Sequence, residues 1–291
     1  MAEASMLEGF EDLVAQMDQP IGDSAWLLTS EICKFASNQV KVVLSGAGAD
    51  ELFGGYNRHW AFYQYLQHKQ VINLLAPIWQ PVFSRFPTGF RHPWRKKFRL
   101  LKKWSTAYSP DPAAAYLNFM TFQEPGRQMH PGEYVPKNND LLSWALWHDI
   151  NHYLVSDVLA LSDKASMRHG LELRVPYLDE ELVSYLDGID KKQLFTRGRK
   201  WVLKQLLSDL GGAMYARRSK EGFGLPLIPW LKSPEAAHLW APFANTSHPL
   251  FDYLDKTTFL NLKRDLFSGR SDHGPFMWSV LVLGHWLKRH F

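Results

Sequence analysis

One stretch of this 291-residue chain concentrates residues that could do chemistry: Ser45-Gly46-Ala47-Gly48-Ala49-Asp50-Glu51-Leu52-Phe53-Gly54-Gly55-Tyr56. It follows Val40-Lys41-Val42-Val43-Leu44, a short β-branched run that predicts a buried strand of parallel-sheet type. Glycines at the carboxyl end of such a strand present bare backbone N–H groups in a crevice, where nucleotides bind in open α/β sheets. Gly46 and Gly48 allow close approach of the backbone to a ligand, and Ser45 can hydrogen-bond to it. Asp50 and Glu51 add carboxylates suited to Mg²⁺ held against phosphates. Gly54-Gly55 let the following helix pack closely. A tight strand–helix turn with no ligand would explain a bare Gly-x-Gly; the paired acids and Phe-Gly-Gly-Tyr favour the nucleotide.

The elements around this loop read as helices. Leu7, Phe10, Val14 and Met17 recur at helical spacing up to Gln19-Pro20, and Trp26–Ser37 resumes the pattern. Helices are then expected over Arg58–Gln70, Pro93–Ser105, Pro112–Phe122, Asn139–His152, Asp163–Gly170 and Arg199–Leu210, and from Trp230 onward. Arg174–Asp179 is extended, because the residue before Pro176 avoids the α region. No linker divides the chain. The expected fold class is α/β and predominantly helical, one domain over 1–291 with one clear buried parallel-type strand.

Composition closes other routes. A net charge of +4 with 21% charged and 46% hydrophobic residues describes a globular chain rather than a disordered tail. The single Cys33 excludes a disulfide framework and a multi-thiolate zinc site, and its apolar helical surroundings make it a core residue. Met1–Phe10 carries no signal-peptide run, and Val71–Phe83 and Met277–Leu287 are too short to span a bilayer. A soluble, cytoplasmic chain is expected. Arg91, Arg95, Lys96, Lys97, Arg99, Lys102 and Lys103 suggest a nucleic-acid or membrane-surface helix. Trp94, Phe98, Leu101 and Trp104 fall on one face, however, the pattern of a packed helix with a solvated basic side, so neither partner is expected. His148 and His152 form an i, i+4 pair with no third metal ligand nearby in sequence, which favours a structural role. No G-x-S-x-G elbow is present for serine hydrolysis.

Ser45–Tyr56 resembles the SGxGxDE-x-FGGY signature of the glutamine-hydrolysing asparagine synthetases and their relatives. Two further blocks agree in order. Tyr153-Leu154, Asp163-Lys164-Ala165-Ser166-Met167 and Glu172-Leu173-Arg174-Val175-Pro176-Tyr177-Leu178-Asp179 resemble YL…DraSMa…E-x-R-x-PfLD. Arg218-Ser219-Lys220-Glu221-Gly222-Phe223-Gly224-Leu225-Pro226 resembles R-x-K-x-GF-x-xP. The likeness runs from about residue 10 to the C-terminus. It implies a partial nucleotide-binding synthase domain of the PP-loop ATP pyrophosphatase type, with ATP and Mg²⁺ as cofactors. The reaction implied is amide ligation: a carboxylate, aspartate in the type enzyme, is adenylated with loss of pyrophosphate, and glutamine-derived ammonia then displaces AMP.

By matching position, the resemblance puts Ser45, Gly46, Gly48 and Glu51 at the adenylate and Asp50 on Mg²⁺. It puts Asp163 at the substrate end and Lys220 over the pyrophosphate, where a compact ammonium serves as a point charge. Lys200 matches a basic position of the family more weakly. Glu172, Arg174 and Asp179 are expected to form a buried ion-pair network beside Pro176, with a structural and a catalytic role both open.

Three features depart from the pattern. Ala47 stands where many relatives carry Glu or Asp; the family's second phosphate loop, SGGxDS, has no counterpart in 1–291; and no N-terminal glutaminase cysteine is present. The chain therefore reads as the carboxyl-terminal part of a synthetase. Its expected partners are small molecules (aspartate or another carboxylate, and ammonia) and an upstream synthetase half, since Val40–Leu44 has no evident sheet partner. Alone it is expected to bind Mg-ATP weakly and to self-associate. Two alternatives stay open: a degenerate or split-subunit chain with no activity alone, and a relative that amidates a different carboxylate.

Overall fold

A computed structural model describes residues 9–86, 95–120, 140–218, 225–269 and 273–291. Helix α1 (Phe10–Ala15) buries Phe10, Leu13 and Val14, spaced to lie on one face. In α2 (Ala25–Ser37), Trp26, Leu27, Ser30 and Cys33 turn inward, so the cysteine is a core residue. Asp23 precedes α2 and accepts a hydrogen bond from the Ala25 N–H at 2.8 Å.

Among the described residues the sheet consists of two parallel strands, β1 (Val42–Leu44) and β2 (Glu172–Arg174), in the register Val42↔Glu172, Val43↔Leu173, Leu44↔Arg174. Two expectations are corrected here. The strand after α2 has a partner in this chain, one the sequence hides because Glu-Leu-Arg carries no β-branched signal. Nor is β1 buried: Val42 is 40% and Leu44 75% exposed, and only Val43 is half-covered. A continuous apolar run suggests cover on both faces, but the described helices supply it on one side.

Between the strands the chain is helical: α3 (Ala49–Leu52), α4 (Asn57–Ser84), α5 (Arg95–Ala107), α6 (Pro112–Met120) and α7 (Leu141–His148). Helix α4 continues well past Gln70, with a kink at His68 and with Pro77 and Pro81 inside it. The basic helix α5 packs as its apolar face predicts: Trp104 lies 4.3 Å from Trp79, the rings tilted at 33°, and Phe98 lies 4.8 Å from Phe86. Trp94 lies outside the described residues.

Helix α7, begun by the Asp140 carboxylate accepting from the Ser143 N–H, does not stop at His152. It runs on as a π-helix over Asp149–Leu159 and then as α8 (Ala160–Met167), reversing at Gly170. No Gly or Pro interrupts residues 140–167. This rod joins the two cores. Leu142, Ala145 and Leu146 pack with Phe62, Tyr116 and Phe195, whereas Leu161 and Ala165 pack with Phe10, Trp26 and Trp278. Helix α8 also packs on β2 and on α2.

After β2 come α9 (Glu180–Asp187) and α10 (Trp201–Leu207). The stretch beyond Trp230 is not one helix. Pro234, Pro242 and Pro249 each sit in the first turn of a short 3₁₀ segment, because proline starts helices and does not continue them. Helices α11 (Lys256–Ser268) and α12 (Gly274–His290) close the chain. No described helix is long and apolar enough to cross a membrane.

Candidate functional site at the carboxyl end of the sheet

The loop leaving β1 is held by the second motif block. The Ser45 N–H donates to the Arg174 carbonyl at 2.8 Å, extending the ladder by one rung. The Ser45 hydroxyl accepts from the Ala47 N–H at 3.2 Å, and the Ala49 N–H donates to the Gly46 carbonyl at 3.2 Å. Gly48 turns the chain at φ +88° against Tyr177 and Leu178, where a Cβ would be both strained and blocked. Phe53 meets Tyr177 edge-on at 6.1 Å. At Gly46, in contrast, a Cβ would project into open space.

Asp50 pairs with Lys200, Oδ1 to Nζ at 2.9 Å, each side chain about a quarter exposed. The fit is tight. A Cβ on Gly55 would land on the Asp50 carboxylate and on the Lys200 Cε, and the Gly55 N–H donates to the Asp50 carbonyl at 2.7 Å. Lys200 alone among the described non-glycine residues has a positive φ, +52°. That left-handed backbone costs on the order of 1 kcal/mol and typically persists where a site requires it.

Glu51 turns the other way. It is 1% exposed and accepts the Tyr56 hydroxyl at 2.6 Å; burial raises its carboxyl above the ordinary range. The loop therefore presents Asp50 outward and uses Glu51 inside. Behind it the Arg58 guanidinium lies between the rings of Tyr56 (4.0 Å) and Tyr153 (4.4 Å) and reaches Asp149 at 2.7 Å. His59 Nε2 lies 2.6 Å from the same Asp149 oxygen. Asp149 is fully buried, which by itself would raise its pKa. The His59 hydrogen bond and the neighbouring Arg58 guanidinium outweigh this and hold it below the usual carboxylate range. Burial keeps His59 low, against the pull of Asp149, so the neutral ring donates Nε2–H to the carboxylate.

Further along the π-helix, burial and the facing Asp23 push Asp157 up to about 6, against a hydrogen bond with Tyr153 that lowers it. A carboxyl raised from 3.8 weakens the fold as pH rises, because the unfolded chain ionises first. Asp157→Asn is therefore expected to stabilise the protein at pH 7 by about 1–2 kcal/mol after solvent screening, and to leave it unchanged near pH 3. Urea melts at the two pH values check this; equal effects at both would show that charge is not the cause.

The structure thus gathers Ser45, Gly46, Gly48 and Asp50 at one place, with Glu51 beneath them. Asp163 sits exposed on α8 and makes no hydrogen bond or ion pair with the loop among the described residues. Lys220 lies outside the described residues. The expected buried network of Glu172, Arg174 and Asp179 is corrected. Glu172 and Arg174 pair at 2.7 Å on the exposed face of β2, each more than half exposed, and Asp179 caps α9 through the Glu181 and Leu182 N–H groups. The His148 and His152 rings lie 4.5 Å apart, but Asp149 between them faces Arg58 and His59. No cluster of three metal-ligand side chains occurs among the described residues. Sequence reasoning undervalued Lys200, whose one local signal is Gly198 two residues earlier at φ +92°. It missed the Arg58–His59–Asp149 cluster, which joins residues 90 apart.

Comparison with known proteins points to one family. The family model described as asparagine synthase matches residues 1–288. A protein of Mycobacterium tuberculosis, named only provisionally as an asparagine synthetase (glutamine-hydrolysing), is 28% identical over 94% of this chain and 43% of its own length. Asparagine synthetase (glutamine-hydrolysing) 1 of Bacillus subtilis is 25% identical over 94% of this chain and 44% of its own. The chain spans less than half the length of these relatives. It belongs to the asparagine synthase family.

Proposed function

We propose that the chain is the carboxyl-terminal synthase part of an ATP-dependent amide ligase that converts aspartate to asparagine through an aspartyl-adenylate. The observation that carries this reading is the Asp50–Lys200 pair beside an open glycine turn at the carboxyl end of parallel strands, the place where α/β folds bind nucleotides. The donor set suits the ligand. Asp50 offers a hard carboxylate oxygen for Mg²⁺, Lys200 a compact cation for phosphate, and Gly46 leaves room for a ligand against the backbone. Mg²⁺ would supply charge neutralisation of the phosphates at Asp50.

The remaining work falls to side chains. Lys200, held by its left-handed backbone, would stabilise charge developing on the departing pyrophosphate, a role shared with Lys220. Ser45 and the Gly46 and Gly48 amides would hold the adenylate. A PP-loop fold for the whole domain, aspartate as the carboxylate and ammonia from glutamine belong to this proposal, supported by the names of the relatives.

The test is amide formation from aspartate, Mg-ATP and ammonium, with an upstream synthetase half supplied. Asp50→Asn and Lys200→Met should each lower it about 100-fold or more with little change in Tm. Unchanged turnover in both variants would remove Asp50 and Lys200 from the reaction.

A further inference from the structure

Helix α8 leads through the Gly170 reversal into β2, which runs back beside it toward Ser45. Asp157 precedes the end of α8 by ten residues, about 15 Å of helix, and Leu171–Arg174 returns about 13 Å of strand. By this count Asp157 comes to about the level of the carboxyl ends of β1 and β2. The same reasoning applies to α2 and β1, and brings Asp23, just before α2, to that end of the sheet. Asp157 is partly exposed there, and α3 packs on the π-helix that carries it. π-Helical segments within α-helices recur at functional sites.

We infer that Asp157 is the acid–base residue of the amide-forming step, facing the acyl carbon from the π-helix side of the glycine loop. The assignment rests on the ligase reading proposed above and adds a residue to it. The loop itself has no free base: position 47 is alanine, and Glu51 is buried on Tyr56. Asp157 is ionised above about pH 6, and so can accept a proton near neutrality. Its charged and titratable neighbours are Asp23 ahead of α2, Tyr153 one turn back on its own helix, and Arg58 from α4, which is engaged by Asp149. In the step, the ammonia nitrogen bonds to the acyl carbon, a proton passes from that nitrogen to the Asp157 carboxylate, and the carbon–oxygen bond to AMP breaks. AMP leaves with the electron pair.

The experiment separates the two half-reactions in the chain assayed with an upstream synthetase half. Asp157→Asn should leave aspartate-dependent exchange of labelled pyrophosphate into ATP within about threefold of the unsubstituted protein. Amide formation should fall about 10²-fold or more, and the acid limb of its pH profile near pH 6 should vanish. Asp157→Glu should recover part of the rate with the limb restored. Amide formation unchanged in Asp157→Asn overturns the assignment alone, as does equal loss of exchange and amide formation. Absence of exchange in the unsubstituted protein overturns the ligase reading and this assignment with it.

Discussion

Asp149→Ala is expected to lower the melting temperature by roughly 6–20 °C, the largest stability effect of any single polar truncation in the described core. The carboxylate is fully buried, with Arg58 at 2.7 Å and His59 at 2.6 Å on one oxygen. Removing one member of a buried charge pair leaves the other uncompensated, at a cost of about 3–5 kcal/mol. In a chain of this size each kcal/mol moves Tm by roughly 2–4 °C. The loss should spread to the loop, because the same guanidinium carries the Tyr56 and Tyr153 rings and Tyr56 holds Glu51. Differential scanning calorimetry of Asp149→Ala beside Arg58→Met, His59→Leu and the combined triple variant checks the account. The triple variant should recover much of the loss, since it removes the stranded charge. A shift under 3 °C for Asp149→Ala would mean that the cluster is hydrated and weakly coupled.

The second large effect is on turnover. Gly55→Ala adds one methyl group in the space occupied by the Asp50 carboxylate and the Lys200 stem. One of them must move by about an ångström, and misplacement of that size costs about 100-fold in rate. Adenylation should fall by that factor while Tm drops only a few degrees, because both displaced side chains are partly solvated. Carboxylate-dependent pyrophosphate exchange, with a melt of the same preparation, checks it. Unimpaired exchange would show that the Asp50–Lys200 geometry is not required for adenylation.

The loop and the second motif block that supports it were legible because their chemistry is local. A strand that ends in Ser-Gly-x-Gly must turn sharply, and the structure places Tyr177 and Leu178 from the second block under that turn. Helix boundaries after Gln70 and His152 were not legible, since α4 tolerates two prolines and the π-helix has no breaker to mark its ends. The partner of β1 was hidden for a different reason. A three-residue strand contributes too few side chains to show a period, and its pairing joins residues 42–44 to 172–174. Lys200 reaches Asp50 across 150 residues by a left-handed residue, a conformation that sequence spacing does not reveal for lysine. The inward turn of Glu51 follows from the single α3 turn, which sets adjacent acids about 100° apart, one toward Lys200 and one toward Tyr56.

Exchange of labelled pyrophosphate into ATP, driven by aspartate and measured with an upstream synthetase half supplied, tests the central claim most directly. The account predicts exchange that requires Mg²⁺ and aspartate, needs no ammonia, and falls about 100-fold in Asp50→Asn. No exchange with aspartate or any other carboxylate, in a preparation where the two halves associate, would contradict it and leave the chain as a family member without ligase chemistry.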